Sequence, residues 1–288
     1  MTLATPPPPL LQTRDLWYRY SDQPPALCGI NLSIAAGDWL AIIGCNGSGK
    51  STLVKHFNGL LRPWQGQVLL DGQDIAGQSV GQLAHSGIAY LPQNPDRLIF
   101  AATVREEIAF GPQQSGLRDA ELAERVDESL ALLDLTAYVN YPPAVLGYGL
   151  RRKVALAAIL ALRPRLLVLD EPTNGLDAGS TRAFMDVVAN RHRRGVSVVM
   201  ITHDLELVAQ FATAVALLRE GQLVTVGPTR RILSDISLLT AAGLEPLPIT
   251  RLAALCASAV PSDLLTPAEF ADAYCAWRLR GYVAEGRL

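Results

Sequence analysis

The sequence predicts an α/β protein whose parallel sheet is buried on both faces. Two runs carry that expectation, LLVL at 166–169 and VSVVMIT at 196–202, both apolar almost throughout rather than alternating. A strand with one wet face alternates every second residue, whereas a strand covered on both faces does not. A third run, LAII at 40–43, leads into a glycine-rich loop and then a helix-like stretch, STLVKHF at 51–57, in the order strand, loop, helix.

The first thirteen residues, MTLATPPPPLLQT, lack a basic start and a long apolar core, so they do not read as a signal peptide. Pro6 to Pro9 are expected to form a short polyproline tail, and residues 1–10 are read as tail. Residues 11–111 are read as a β-rich start that carries the glycine loop. GCNGSGKS at 44–51 fits the pattern G-x-x-x-x-G-K-[ST]. Gly44, Gly47 and Gly49 let the backbone curl and aim its N–H groups at phosphate oxygens. The helix starting near Lys50 adds its positive end. The Lys50 ammonium suits β- and γ-phosphates, and the Ser51 hydroxyl suits Mg²⁺. Asn46, Ser48 and Thr52 complete the candidate ATP-binding set. Cys45 reads as a small residue that the loop tolerates.

Residues 112–162 are expected to be helical, because ELAERVDESLALLDL at 121–135 places apolar residues at helix spacing with acidic ones between. Near their end lies LGYGLRRK at 146–153, with Tyr148 between two glycines and ahead of a basic triplet. RLLVLDEPTNGLD at 165–177 ends its strand in Asp170 and Glu171. Ligands of open α/β sheets bind at that carboxyl edge. Adjacent strand side chains point to opposite faces, so both carboxylates serve one site only if the chain turns there. Asp170 is assigned to Mg²⁺, directly or through water. Glu171 is assigned as general base, or water polariser, for attack on the γ-phosphate. VSVVMIT leads to His203 at the same predicted edge, a candidate γ-phosphate contact. Residues 163–240 alternate strand and helix, and 241–288 form an appendage.

Composition sets limits. The chain of 288 residues is 49% hydrophobic and 18% charged with a formal net charge of −2, which predicts a sizeable core and no electrostatic grip on nucleic acid. Four cysteines, with no CxxC pair and no clustered His, predict neither a disulfide framework nor a zinc site and fit a reducing cytosol. No apolar run approaches the ~20 residues of a membrane span. A role at a membrane would therefore pass through a partner.

With these residues in view, the chain resembles the ATP-binding subunit of an ABC transporter over roughly 11–240. The Walker A motif is GCNGSGKS, the Walker B motif is LLVLDE at 166–171, the D-loop matches NGLD at 174–177 and the H-loop matches ITHD at 201–204. LPQNPDRLIF at 91–100 resembles the Q-loop, which implies that Gln93 senses Mg²⁺ and the attacking water. LWYRY at 16–20 resembles the A-loop, which implies that Tyr20 stacks on adenine, with Tyr18 as the alternative. The implied fold is the P-loop NTPase fold of ABC ATPases, with an antiparallel β subdomain, a helical subdomain at about 112–162 and a small C-terminal helical extension at 241–288.

QNPDRLIF is similar to the Q-loop of energy-coupling factor and cobalt-type importers, which take up vitamins or transition-metal ions. GLEPLPITRLAAL at 243–255 and LLTPAEFADAY at 264–274 resemble the extension that keeps two such ATPases paired, or else form an unrelated helical cap. In the family, the segment matching 96–110 lines a groove for the coupling helix of a membrane subunit, where Asp96, Glu106 and Glu107 would meet basic residues.

LGYGL takes the place of the family's LSGGQ, since Leu146 precedes Asp170 by the required 24 residues. Gly147 removes a Ser hydroxyl, Tyr148 adds bulk and Leu150 removes an amide. Gly147 and Gly149 keep only backbone contact with a γ-phosphate. Family members pair head to tail, each ATP lying between one Walker A and the other subunit's LSGGQ. The resemblance therefore implies a heterodimer with a second ATPase carrying an intact LSGGQ, rather than a homodimer. It also implies integral membrane transport subunits and a peripheral place on the cytoplasmic face of the membrane. One alternative is a largely non-hydrolysing regulatory subunit, favoured by LGYGL and opposed by Glu171 and His203. Another is a soluble ABC protein of translation or DNA repair, whose second ATPase domain or long coiled coil this sequence does not show.

Overall fold

The computed structural model describes residues 8–284, with side chains described to 279. In chain order the strands and helices are β1 (Leu11–Tyr18), β2 (Leu27–Ile34), β3 (Trp39–Ile43), α1 (Lys50–Phe57), β4 (Gln65–Leu70), β5 (Gln73–Asp74), α2 (Val80–His85), β6 (Ile88–Leu91), α3 (Val104–Gln114), α4 (Asp119–Leu132) and α5 (Tyr148–Leu160). They continue with β7 (Leu166–Asp170), α6 (Ala178–Arg193), β8 (Ser197–Ile201), α7 (Leu205–Phe211), β9 (Ala214–Arg219), β10 (Gln222–Pro228), α8 (Thr229–Leu233), α9 (Ile236–Ala241), α10 (Pro248–Leu255) and α11 (Pro267–Ala284). The described residues form two compact units, 8–39 with 51–201, and 40–50 with 202–284.

The first unit contains two kinds of sheet, and their burial patterns separate them. β2, β1, β4 and β5 form an antiparallel sheet in that order. In β2, Ile30, Leu32 and Ile34 are buried and the residues between them are exposed, as a sheet with one wet face requires. β6, β7 and β8 are parallel neighbours, and every residue of β7 and β8 is buried. The two apolar runs of the sequence are these strands. The helices α3, α4 and α5 supply the helical part. They begin at Val104, ahead of the expected 112, because Thr103 and Glu106 close a capping box on the first turn of α3.

In the second unit β3 pairs in parallel with β9, and β9 pairs antiparallel with β10. α10 and α11 share a small core in which Ala253, Val260 and Leu264 pack against Phe270 and Ala273. Arg230 of α8 pairs with Glu269 of α11, which anchors the last helix. Of the expected polyproline tail, Pro6 and Pro7 lie outside the described residues. Leu10 is buried and its carbonyl accepts a 2.9 Å bond from the Asp71 N–H, so ordered chain precedes β1.

Candidate nucleotide site

In the second unit, the loop after β3 is a closed cradle. Gly44 has φ +150°, and a Cβ there would stand 2.2 Å from the Leu218 carbonyl oxygen, so only glycine fits. Gly47 and Gly49 also have positive φ, at +79° and +100°. Lys50 is 8% exposed, and its Nζ donates to the carbonyls of Gly44 and Cys45 at 2.7 and 2.9 Å. The ammonium is thus aimed into the loop. Ser48 is buried, and its hydroxyl has no hydrogen-bond partner among the described residues. A buried orphan hydroxyl is costly unless a ligand satisfies it. The loop is also braced from behind: Gly221 N–H donates to the Ser48 carbonyl at 3.1 Å, and the single Cys45 S–H is shared between the carbonyls of Ala242 and Gly243, each 3.2 Å from Sγ. Cys45 is therefore more than a tolerated small residue. A cavity of about 400 Å³ adjoins the loop, lined by Asn46, Gly47, Ser48, Arg219 and Gly243 among others. His203 is exposed in the turn between β8 and α7, where Asp204 caps α7 through the N–H groups of Glu206 and Leu207.

In the first unit, Ser51 and Asp170 meet. The Ser51 hydroxyl donates to Asp170 Oδ1 at 3.1 Å, and the Tyr90 hydroxyl donates to Oδ2 at 3.1 Å. Asp170 is 3% exposed. Burial, and then the Asp170 carboxylate beside it, push the Tyr90 phenol well above its ordinary range, so it stays a proton donor. Glu171 has φ +48°, a left-handed conformation that costs a non-glycine residue about 1–3 kcal/mol. Its N–H donates to the Ile201 carbonyl at 2.9 Å. Here is the turn that two adjacent carboxylates need at the end of a strand. Tyr20 lies just past β1, 37% exposed, and its hydroxyl hydrogen-bonds the Thr52 hydroxyl at 3.1 Å. Tyr18 is paired inside β1 and sits edge-on to His56 at 4.8 Å, which makes it a packing residue. Gln93 is exposed, and its carbonyl accepts from Arg152.

Gly147 is the N-cap of α5 and gives it no side-chain cap. A Cβ on Gly147 would meet nothing within 4 Å, and one on Gly149 would touch Leu176 at an ordinary 3.5 Å. Asp177 of the D-loop match caps α6 through the Ser180 N–H.

The structure thus joins residues 44–50 in one loop, and brings together Ser51 with Asp170 and Tyr20 with Thr52. Two participants escaped sequence reasoning. Tyr90 stands three residues before Gln93 at the end of β6, a position that signals it only once β6 is known to neighbour β7. Arg152 carries no mark within the basic triplet at 151–153, although it is fully buried.

A glycine cradle around a buried lysine, leading into a helix, and a carboxylate at the end of a fully buried strand define an ATP-binding cassette. Comparison with known proteins agrees. Residues 27–174 match the ABC transporter family. A putative ABC transporter ATP-binding protein of Methanosarcina acetivorans is 42% identical over 246 residues, which cover 85% of this chain and 40% of that protein. The chain thus spans about two fifths of the length of the first curated relatives it matches. The energy-coupling factor transporter ATP-binding protein EcfA of Methanothermobacter thermautotrophicus is 41% identical over 239 residues, covering 82% of this chain and 76% of that protein. The solved structure of CbiO1 from Clostridium perfringens, part of the ABC transporter complex CbiONQ, superposes with a TM-score of 0.73 at 31% identity, covering 86% of this chain and 99% of that one. The chain belongs to the ATP-binding proteins of the ABC transporter family. Within that family it is of the energy-coupling factor type.

Proposed function

We propose that this chain binds and hydrolyses ATP as the peripheral motor of an energy-coupling factor importer for a vitamin or a transition-metal ion. In this reading it sits on the cytoplasmic face of the membrane, held by integral membrane transport subunits. It pairs with a second ATPase that carries an intact LSGGQ. The observation that carries the reading is the 3.1 Å contact of Ser51 with Asp170, next in chain to a buried Lys50 folded into its own loop. The similarity to EcfA and to CbiO1 of the CbiONQ complex supports the transporter setting. No helix among the described residues is long and apolar enough to cross a membrane.

The residues fit both ligands. Lys50, the Ser48 hydroxyl and the backbone N–H groups of 46–50 form a donor set for phosphate oxygens. Tyr20 offers its exposed ring to adenine. Ser51, Asp170 and Gln93 are the hard oxygen donors that suit a partly hydrated Mg²⁺. When bound, Mg²⁺ would neutralise charge on the β- and γ-phosphates. Tyr90 fixes Asp170 by hydrogen bond. Glu171 accepts a proton from the attacking water, whose oxygen bonds the γ-phosphorus as the bond to the ADP oxygen breaks. His203 steadies the γ-phosphate. Gly147 and Gly149 present only backbone N–H groups to the nucleotide held by the second ATPase. A non-hydrolysing regulatory role is the second reading, and LGYGL favours it.

The test is Glu171→Gln in the complex purified from membranes with its integral subunits and second ATPase. ATP binding should persist, while transport and hydrolysis fall by roughly 10²–10⁴-fold. Unchanged transport would overturn the proposal in favour of the regulatory role.

A further inference from the structure

The replaced turn is built into its own chain through Tyr148. This residue opens α5, and its ring lies against Gly175, where a Cβ would stand 3.1 Å from Tyr148 Cε1. Gly175 also has φ +78°, so position 175 needs glycine for its backbone and for its space. The guanidinium of Arg152, one turn further along α5, lies 5.3 Å from the Tyr148 ring centroid, within cation–π reach.

Arg152 reaches three separate stretches of backbone. Its Nη1 donates to the carbonyls of Glu171 and Asn174 at 2.8 and 3.2 Å, and its Nη2 donates to the carbonyl of Gln93. The side chain is fully buried, and its Nε finds no partner among the described residues. A guanidinium removed from water is unfavourable unless carbonyls, charges or a π face compensate it. The carbonyls meet its N–H edge, and the Tyr148 ring adds the π face. Glycine at 148 would leave that part of the compensation missing. One of the three carbonyls belongs to Glu171, the residue in the left-handed conformation.

We infer that Tyr148 is a positioning residue. Through Arg152 it clamps the backbone at Gln93, Glu171 and Asn174 within its own chain. The turn that gives up contacts to a neighbouring nucleotide thereby stiffens the Walker B, D-loop and Q-loop segments of this one. The consequence for catalysis rests on the reading of Glu171 as the base; the clamp itself does not.

Hydrogen–deuterium exchange on the full chain tests the clamp without activity. Tyr148→Leu should raise exchange roughly fivefold in two segments distant in sequence, 92–96 and 171–176. Tyr148→Phe, which keeps the ring, should leave both unchanged, and the β1–β2 pairing should stay protected in both variants. Should the Leu variant not fold, Arg152→Lys keeps the charge but loses the fork and should expose the same two segments. No change in either segment, change confined to the neighbours of 148, or a Phe variant that behaves as Leu would each overturn the clamp. In the membrane complex, Tyr148→Leu should lower kcat with KM for ATP unchanged. Raised exchange with unaltered kcat would keep the clamp and remove Glu171 from its assigned role.

Discussion

The phosphate loop at 44–51 and the turn at 146–149 both read as glycine-rich entries to a helix, yet they use glycine for opposite reasons. Gly44 stands where a Cβ would collide with a backbone carbonyl at 2.2 Å, whereas Gly147 faces open space within 4 Å. The loop wraps a buried lysine, while the turn leaves its helix without a side-chain cap. In the loop, glycine is imposed by close backbone approach. In the turn, glycine is what remains where a serine is expected, and the new tyrosine has been drawn inward. Glycine spacing alone does not separate these cases; the surroundings of the absent Cβ do.

The contrast breaks most visibly through Gly44→Ala. The loop must shift to relieve that contact, and ATP affinity should fall roughly ten- to hundredfold, read by titration with a fluorescent ATP analogue. Wild-type affinity would mean that the loop is not the tight cradle described.

A medium effect concerns the footing of the loop. His56 on α1 is buried with Nδ1 2.8 Å from the Thr52 carbonyl, and burial lowers its pKa to about 4 against backbone hydrogen bonds that raise it. Because the folded value lies below the ordinary 6.5, the unfolded chain takes up the proton first. This term leaves stability intact above pH 6.5 and erodes it as pH falls toward 4, by up to about 3 kcal/mol. Carboxylates titrate in the same window, so the readout is the difference between wild type and His56→Phe in denaturant melts. The variant should lack this share of the acid loss; parallel curves would refute it.

The smallest effect lies in the turn. In the chain alone, where position 147 meets no second ATPase, Gly147→Ser adds an N-cap hydroxyl worth a few tenths of a kcal/mol, so Tm should rise by about 1 °C. A fall of several degrees would show that glycine is required there after all.

What the sequence revealed and what it hid divide along the same line. The buried strands β3, β7 and β8, the cradle glycines, Lys50 and the Asp170–Glu171 pair were legible, because apolar runs and loop spacing are local signals. The bond from Tyr90 to Asp170 joins residues 80 apart, and the Cys45 thiol reaches carbonyls 197 and 198 residues away; neither leaves a local trace. Arg152 looked like one cation of a surface triplet, since nothing in RRK says which side chain turns inward. Leu10 follows four prolines that point to a tail, although its apolar character fits the buried start of the strand.

We propose that this chain combines an intact Walker A and Walker B with an impaired signature turn, and so depends on a partner with an intact LSGGQ. ATP turnover by the purified chain alone, followed over a range of ATP and protein concentrations, tests this dependence. The chain alone should bind ATP saturably and hydrolyse it slowly and without cooperativity. Brisk, cooperative hydrolysis by the chain alone would contradict it.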